Sequence, residues 1–200
     1  MSTNPCGEIP LCPYDSCRLL AINLYSYVVN PFKPDAYFDF DLFKKHVALA
    51  QRIMDDIIDL ELEKIERIMA KIDSDPENED VKHTESVLWQ KIYKKSGQGR
   101  RTGVGITAEG DMLAALGLRY GTEEATEFAE KVHQTVALSA YRSSVEMAKE
   151  RGAFEVYDSE REKNNPFINR LREADPELYE EMKKYGRRNI ACLTTVSYTH

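Results

Sequence analysis

The N-terminal sequence reads NPCGEIPL at residues 4–11 and CRLLAINL at residues 17–24. The second run is apolar and predicts a buried strand that begins beside Cys17. The first run places an amide, a thiol and a carboxyl at alternate positions, in Asn4, Cys6 and Glu8. Alternate side chains of an extended segment point to one side. We therefore expect these three groups to converge on one small ligand, with Cys17 as a second, redox-active thiol nearby.

Composition indicates one globular domain and excludes several classes of partner. The chain has 200 residues, of which 42% are hydrophobic and 30% charged, with a net charge of -7. The acidic balance argues against a nucleic-acid or anionic-membrane surface. No apolar run approaches the ~20 residues of a membrane helix, and residues 1–5 lack the features of a secretory signal. We expect a cytoplasmic protein with no nucleic-acid and no membrane partner.

The cysteines are few and unevenly placed. Of the four, Cys6, Cys12 and Cys17 crowd the first seventeen residues, and only Cys192 lies elsewhere. This pattern favours free or redox-active thiols over the disulfide framework of a secreted domain. The gaps between the first three do not match the CxxC spacing of structural zinc, and the histidines are scattered, so we expect no metal site. On its own residues Cys192 is predicted to be a packing residue, and Cys12 has no evident role.

The remaining pattern alternates strands with helices. After a strand at about 18–29, a helix is predicted at about 41–72, and residues 73–80 form an acidic surface loop. Further helices are expected at about 84–95, 107–116 and 123–151, and after Asp175-Pro176, before a last strand at 188–196. The first helix has apolar residues at spacings of three and four, which define a core face: Phe43, Val47, Ala50, Met54, Ile57, Ile58, Ile65, Ile68 and Met69.

Two further features are interpreted from composition. Residues 97–105 contain four glycines and two arginines before a helix, and we interpret them as a tight strand connection and not as a phosphate site. The basic clusters at 94–95, 100–101, 183–184 and 187–188 are interpreted as solvated helix ends. Strands joined by helical crossovers predict an α/β fold, rich in helix, with mainly parallel pairing. Three strands are too few to close a barrel.

Several stretches, in this order, resemble the large catalytic subunit of ribonucleotide reductase, and most closely its adenosylcobalamin-dependent branch. They are residues 4–11, 13–17 with 21–24, 99–106, 111–113, 148–154 and 187–191. The resemblance covers nearly the whole chain but only a central-to-late slice of the family's catalytic barrel. It implies that residues 1–200 form a single partial segment of a ten-stranded α/β barrel, with residues 4–11 as the finger loop at its centre.

The resemblance also implies roles for individual residues. Cys6 would carry the thiyl radical, Glu8 would act as general base at the 3′-hydroxyl, and Asn4 would hydrogen-bond the substrate. Cys17 would be one of two cysteines that oxidise to a disulfide in each turnover, and its family partner lies in an earlier strand that this chain lacks. Such chemistry fits the reaction, because the C–H bond at the 3′ carbon is not acidic and a sulfur radical can abstract its hydrogen.

Near the C-terminus the family has a phosphate-binding loop, which would place Thr195 and Ser197 at the substrate. Here the chain departs from the pattern, with Tyr198 where proline is expected and His200 where glycine is expected. The implied cofactor is adenosylcobalamin, or alternatively a radical from a separate dimetal subunit, and the isolated chain is expected to bind neither. The implied partners are a ribonucleotide substrate, a thioredoxin- or glutaredoxin-type reductant, the missing flanking segments and a second copy in a homodimer.

Three functions are consistent with these features of the sequence. The first is a segment of a ribonucleoside di- or triphosphate reductase that makes deoxyribonucleotides, with little activity when isolated. The second is a non-catalytic remnant or split fragment that needs flanking segments or binds the intact subunit. The third is an unrelated zinc or thiol-nucleophile protein.

Overall fold

The computed structural model describes residues 2–4, 7 and 9–195 of the chain. In this part the secondary structure consists of seven strands, seven α-helices and one 3-10 helix. In chain order they are β1 Ser2–Thr3, β2 Pro10–Leu11, β3 Arg18–Asn23, the 3-10 helix Leu24–Tyr27, β4 Val28–Val29, β5 Tyr37–Phe38, α1 Phe40–Ser74, α2 Glu79–Gly99, β6 Thr102–Thr107, α3 Glu109–Ala115, α4 Glu123–Arg151, α5 Ser159–Glu162, α6 Pro166–Ala174, α7 Pro176–Tyr185 and β7 Ala191–Thr195.

A three-stranded parallel sheet organises the fold, in the order β3-β6-β7. Val104 in the middle strand lies opposite Leu20 of β3 and Leu193 of β7. Parallel neighbours require crossover connections, which α1 and α2 supply between β3 and β6, and α3 to α7 supply between β6 and β7. The predicted α/β class and parallel pairing are therefore confirmed. The described residues form no closed barrel, since β3 and β7 pair only with β6 among them.

One face of the sheet is covered by helices. Ile22, Val104 and Ile106 point into a core that includes Phe43, Val47 and Met54 of α1, each of these three fully buried. Burial of such a side chain contributes about 1.5–3 kcal/mol. Helix α1 begins where the Asp39 carboxylate accepts a hydrogen bond from the Leu42 N–H, 2.9 Å away, which satisfies one of the first-turn donors. The predicted helix is confirmed, with ends within two residues of those expected.

The opposite face of α1 carries several apolar side chains that are exposed. Leu49 is 52% exposed, Ile53 is 41% exposed and Leu60 is 63% exposed. Ile57, which the pattern assigned to the core face, is 41% exposed, so that assignment is wrong. Successive helical residues point about 100° apart, and the fully buried Ile58 takes the position that faces the core.

A second, smaller core lies among the C-terminal helices. It joins Tyr141 and Val145 of α4 with Ile168, Leu171, Leu178 and Met182 of α6 and α7. The start of α7 is as predicted, because the Asp175 carboxylate accepts from the Leu178 N–H at 3.0 Å and Pro176 follows it. Helices α5 and α6 were not predicted. The start of α6 repeats the same signal, Asn165 followed by Pro166, with the Asn165 side chain accepting from the Phe167 N–H.

The acidic loop is shorter than residues 73–80. Helix α1 continues to Ser74, and α2 begins at Glu79, where the Asn78 side chain accepts from the Asp80 N–H. The remaining turn, residues 75–78, is largely exposed, as expected of a surface loop. None of the helices in the described part of the chain is long and apolar enough to cross a membrane.

Candidate active site

The described residues on either side of the loop at residues 4–9 form a hairpin. Strands β1 and β2 pair antiparallel, and the Asn4 side-chain oxygen accepts a hydrogen bond from the Ile9 N–H at 3.0 Å. The Gly7 N–H donates to the Asn4 carbonyl at 3.0 Å, and Gly7 has a φ of +80°, a conformation that favours glycine. The expectation of an extended run from Asn4 onward is therefore wrong, because this amide closes a turn.

Cys6, Glu8 and Ser197 lie outside the described residues, so their predicted roles remain predictions. Thr195 is the last residue of β7, where its backbone pairs with Ile106, and its role at the substrate is likewise a prediction. Among the predicted site residues, Asn4 and Cys17 can be placed by their side chains.

Ile9 fixes the hairpin against the sheet. It is only 1% exposed, and its Cδ1 lies 3.5 Å from the point where a Cβ on Gly103 would stand. The Cys17 sulfur lies 3.1 Å from the same point. The hairpin and Cys17 therefore meet over the middle strand, on the face of the sheet opposite the helices. We call this face, formed by Cys17, Leu19, Gly103 and Cys192, the thiol face.

Gly103 is the residue that makes this approach feasible. A Cβ there would stand 2.5 Å from Leu19 Cδ2, closer than non-bonded carbons can approach. Glycine inside a strand often marks a place where another chain segment comes close. The glycine-rich stretch does form a tight connection as predicted, since Arg100 ends α2 in the left-handed conformation and β6 begins at Thr102.

Cys192 is part of this site, although the sequence alone assigned it to packing. It lies opposite Gly103 on β7, and its thiol is close enough to that of Cys17 for each to shift the pKa of the other. Arg101 Nη1 approaches the Cys192 sulfur at 3.8 Å, while the same guanidinium is paired with Asp15 at 2.9 Å. The interpretation of Cys192 as a mere packing residue is therefore wrong, because register places its thiol beside Cys17.

The pKa values of the two thiols are shifted in opposite directions. The hydrogen bond from Cys17 and the positive charge of Arg101 outweigh burial and lower the pKa of Cys192 to about 6. The same hydrogen bond, with burial, raises the pKa of Cys17 well above its usual range. The proton of the pair therefore stays on Cys17, and Cys192 is the thiol that ionises first.

A buried ion network supports the sheet from the helix side. Asp55 of α1 is fully buried, and it accepts from Arg100 Nε at 2.7 Å and from Asn189 Nδ2 at 2.8 Å. Arg151 and Arg188 approach its other oxygen at 3.1 and 3.2 Å. Burial opposes ionisation of this carboxyl, but the hydrogen bonds and the charge of Arg100 outweigh it, and the pKa of Asp55 is lowered.

The network corrects the interpretation of the arginine clusters as solvated helix ends. Arg100 is 5% exposed and Arg187 is 3% exposed, whereas Lys94, Lys95, Lys183 and Lys184 are not buried. Three of the stretches that resemble the reductase family, 99–106, 148–154 and 187–191, each contribute an arginine to Asp55. The sequence pattern did not reveal Asp55, and no local signal marks it, because its partners come from distant parts of the chain.

In the described part of the chain, three carboxylates close enough to share a metal ion are found only at Asp55, Asp56 and Asp59. They are paired with Arg100 and Arg151, which offset the charge that would attract a cation. Cys17 and Cys192 have no third ligand of this kind among the described residues.

Comparison with known proteins agrees with the geometry. A family described as ribonucleotide reductase, barrel domain, matches residues 1–197. The chain belongs to this family. It is 36% identical over 163 residues, 81% of its length, to a vitamin B12-dependent ribonucleoside-diphosphate reductase of Thermoplasma acidophilum, of which it covers 18%. It is 31% identical over 160 residues, 80% of its length, to a reductase of the same description from Mycobacterium tuberculosis, of which it covers 19%.

A third relative has a different description. The chain is 28% identical over 159 residues, 78% of its length, to a ribonucleoside-diphosphate reductase subunit alpha of Chlamydia pneumoniae, of which it covers 12%. The chain thus spans less than a fifth of the length of these curated relatives. As a partial segment of the reductase barrel family, it contains part of the sheet and the hairpin that carries Asn4.

Proposed function

We propose that this chain is a segment of the catalytic barrel of a ribonucleoside-diphosphate reductase and supplies part of its active site. The observation that carries the proposal is the meeting of Ile9 and Cys17 over Gly103. Ile9, which follows Cys6 and Glu8 in the sequence, is thereby packed on the same sheet face as the Cys17 thiol. We infer that the radical residue and the base act on the same sugar as the dithiol that includes Cys17.

In the proposed reaction, a radical on the Cys6 sulfur takes the hydrogen atom from the 3′ carbon of the ribose, and Glu8 accepts the 3′-hydroxyl proton. The 2′-hydroxyl, held by Asn4, leaves as water with a proton from the dithiol. Cys17 and a second thiol give up two electrons and two protons and become a disulfide, so that one proton leaves in the water and one hydrogen is added to the 2′ carbon, while Glu8 returns its proton to the 3′ oxygen. Cys6 then returns a hydrogen atom to the 3′ carbon, so that a deoxyribonucleotide, a disulfide and water are the products.

Adenosylcobalamin would supply the initial radical, as the names of the two relatives from Thermoplasma acidophilum and Mycobacterium tuberculosis suggest. The described residues of the thiol face do not fit a corrin ring, because Ile9 and Leu19 close over Gly103 and leave no broad cradle there. We propose that the flanking segments hold the cofactor, and that this chain contributes the thiols, the base and the amide. A dithiol reductant of the thioredoxin or glutaredoxin class would regenerate Cys17.

The proposal is tested by complementation. The chain is mixed with separately produced flanking barrel segments of the Thermoplasma acidophilum reductase and adenosylcobalamin, and deoxyribonucleotide formation is measured with a dithiol reductant. We expect activity with the wild-type chain and with Cys12→Ser, because Cys12 is exposed and belongs to none of the proposed roles. Cys6→Ser should remove activity completely. Equal product with wild type and Cys6→Ser would exclude the proposal.

A second candidate function is a non-catalytic remnant. It is favoured by the departures at Tyr198 and His200 from the family's phosphate loop, and by the apolar face of α1 that carries the exposed Leu49, Ile53 and Leu60. Hydrogen exchange of the isolated chain separates a dependent fragment from an autonomous one. Slow exchange throughout β3, β6 and β7 would argue against a fragment that needs flanking segments in order to fold.

A further inference from the structure

Cys17 and Cys192 are brought together by the sheet and not by sequence. Cys17 immediately precedes β3 and Cys192 lies on β7, with β6 between them. Gly103, opposite Cys192 in the register, has no side chain to separate the two sulfurs, and the Cys17 sulfur is 3.1 Å from where its Cβ would stand. The two thiols interact across this gap, and each shifts the pKa of the other.

The backbone positions disfavour a disulfide between these residues. Neighbouring strands are about 4.8 Å apart, and Cys17 lies two residues before the position in register with Cys192, so the Cα atoms are separated by roughly 11–12 Å. A disulfide needs Cα atoms within about 7 Å. The two side chains therefore approach each other only across Gly103, and a disulfide between them would require movement of the strands.

The charged surroundings distinguish the two sulfurs. Arg101 Nη1 contacts the Cys192 sulfur at 3.8 Å, and its ion pair with Asp15 fixes the guanidinium beside it. Tyr141 of α4 also lies near Cys192 and donates its hydroxyl to the Ala191 carbonyl at 3.2 Å. Arg18 acts on Cys17 from the start of β3 but is already paired with Glu61 at 2.7 Å. The direct cationic contact is thus with Cys192.

We propose that Cys17 and Cys192 act as one proton-sharing thiol pair, in which Cys192, held by Arg101, is the reactive thiolate of the thiol face. Cys192 is then the site that a small electrophile modifies first, while Cys17 keeps the proton and is masked. With iodoacetamide, the Cys192 thiolate forms a carbon–sulfur bond and iodide leaves. Both residues are partly exposed, so the reagent can reach them. The proposal does not rest on ribonucleotide reduction, because the modification requires no turnover.

The test is the pH profile of alkylation, read for each cysteine by peptide mass spectrometry on the folded wild-type chain and on Cys17→Ala, Cys192→Ser and Arg101→Gln variants. Wild-type Cys192 should be alkylated with a midpoint near pH 6, whereas a free cysteine peptide should follow an ordinary thiol profile with a midpoint of about pH 8.5. Cys17→Ala and Arg101→Gln should each slow Cys192 alkylation at about pH 6.5 by about tenfold, because the loss of thiolate is partly offset by higher intrinsic nucleophilicity.

Cys192→Ser supplies the converse result. With its acceptor thiolate removed, Cys17 should be alkylated at about pH 8 at least about tenfold faster than in the wild-type chain. Circular dichroism verifies that each variant is folded, and alkylation in guanidinium confirms that all four cysteine peptides are detected. The proposal is overturned if folded wild-type Cys192 titrates like a free cysteine peptide, if it is unreactive at every pH, or if Cys17→Ala leaves its profile unchanged.

Discussion

Arg100 donates its Nε–H to Asp55 over 2.7 Å, although the Arg100 side chain is only 6% exposed and that of Asp55 is not exposed at all. This pair joins the α2–β6 turn to the middle of α1, and Arg151, Arg188 and Asn189 complete the set of donors around the carboxylate. The charge of Asp55 is thus compensated from three separate parts of the chain. Asp55 is therefore the centre of a buried ion network on the helix side of the sheet.

The first prediction concerns the buried ion network around Asp55. Asp55→Asn leaves the surrounding guanidinium groups without their carboxylate, and loss of one partner of a buried ion pair costs about 3–5 kcal/mol. We expect the free energy of unfolding, measured by urea denaturation, to fall by that amount. Asp56→Asn is the matched control, since Asp56 is adjacent and 54% exposed, and such surface pairs contribute about 0–1 kcal/mol. Equal losses in the two variants would contradict a special role for Asp55.

The second prediction is the pH dependence of the same group. The pKa of Asp55 is lowered in the folded chain, so its contribution to stability is fully present above the unfolded-state pKa of about 4. It is lost as the pH falls below that value and through the folded-state pKa. The difference in unfolding free energy between wild type and Asp55→Asn should therefore be constant from about pH 6 to 7 and shrink below about pH 4. A difference that grows on acidification would have the wrong sign.

The third prediction tests the close approach at Gly103. In Gly103→Ala the new Cβ would stand 2.5 Å from Leu19 Cδ2 and 3.1 Å from the Cys17 sulfur. Overpacking of this kind costs about 1–3 kcal/mol, and we expect the urea midpoint to fall accordingly. Gly110→Ala in α3 is the control, because a Cβ there meets nothing within 4 Å and alanine in a helix is favoured over glycine by about 0.5–1 kcal/mol. The two substitutions should shift the midpoint in opposite directions.

The fourth prediction concerns the attachment of the hairpin. Ile9→Ala removes most of a side chain that is 1% exposed, and substitutions of this kind cost about 2–5 kcal/mol. Because Ile9 packs the hairpin against the sheet, we expect part of this loss to appear as local opening. Amide exchange at Ile9 and Gly7, which donate to Asn4, should accelerate at least tenfold. Leu60→Ala, at a side chain that is 63% exposed, should leave both rates unchanged.

Elements with strong local signals were predictable. Helices α1 and α4 have long apolar periodicity, and α7 begins with the capping pair Asp175-Pro176, whose hydrogen bond depends on residues three apart. The missed start of α6 at Asn165-Pro166 carries the same signal, so that omission was avoidable. The wrong assignment of Ile57 was not avoidable from the sequence. Ile57 and Ile58 are both apolar, and only packing determines which of the two faces the core.

For the candidate site, the sequence assigned roles to Cys17 and to the loop at residues 4–11 through family resemblance, and the comparisons confirm the family; the roles themselves stay predictions. It did not identify Cys192 as a partner of Cys17, since residues 175 positions apart are brought together only by the pairing of β3, β6 and β7. It likewise treated Arg100 as solvated, because a sequence does not show where a carboxylate will be buried.

The sequence by itself determined the main helices, the strands of the parallel sheet and the family, because caps, apolar periodicity and short motifs act over a few neighbouring residues. Only the tertiary structure decided which side chains meet. The pairing of the strands placed the Cys192 thiol near Cys17, with Gly103 between them. The buried Asp55 accepts hydrogen bonds from arginines of three distant segments. Both outcomes depend on distances between residues far apart in the chain, which are set by the packing of the whole sheet against its helices.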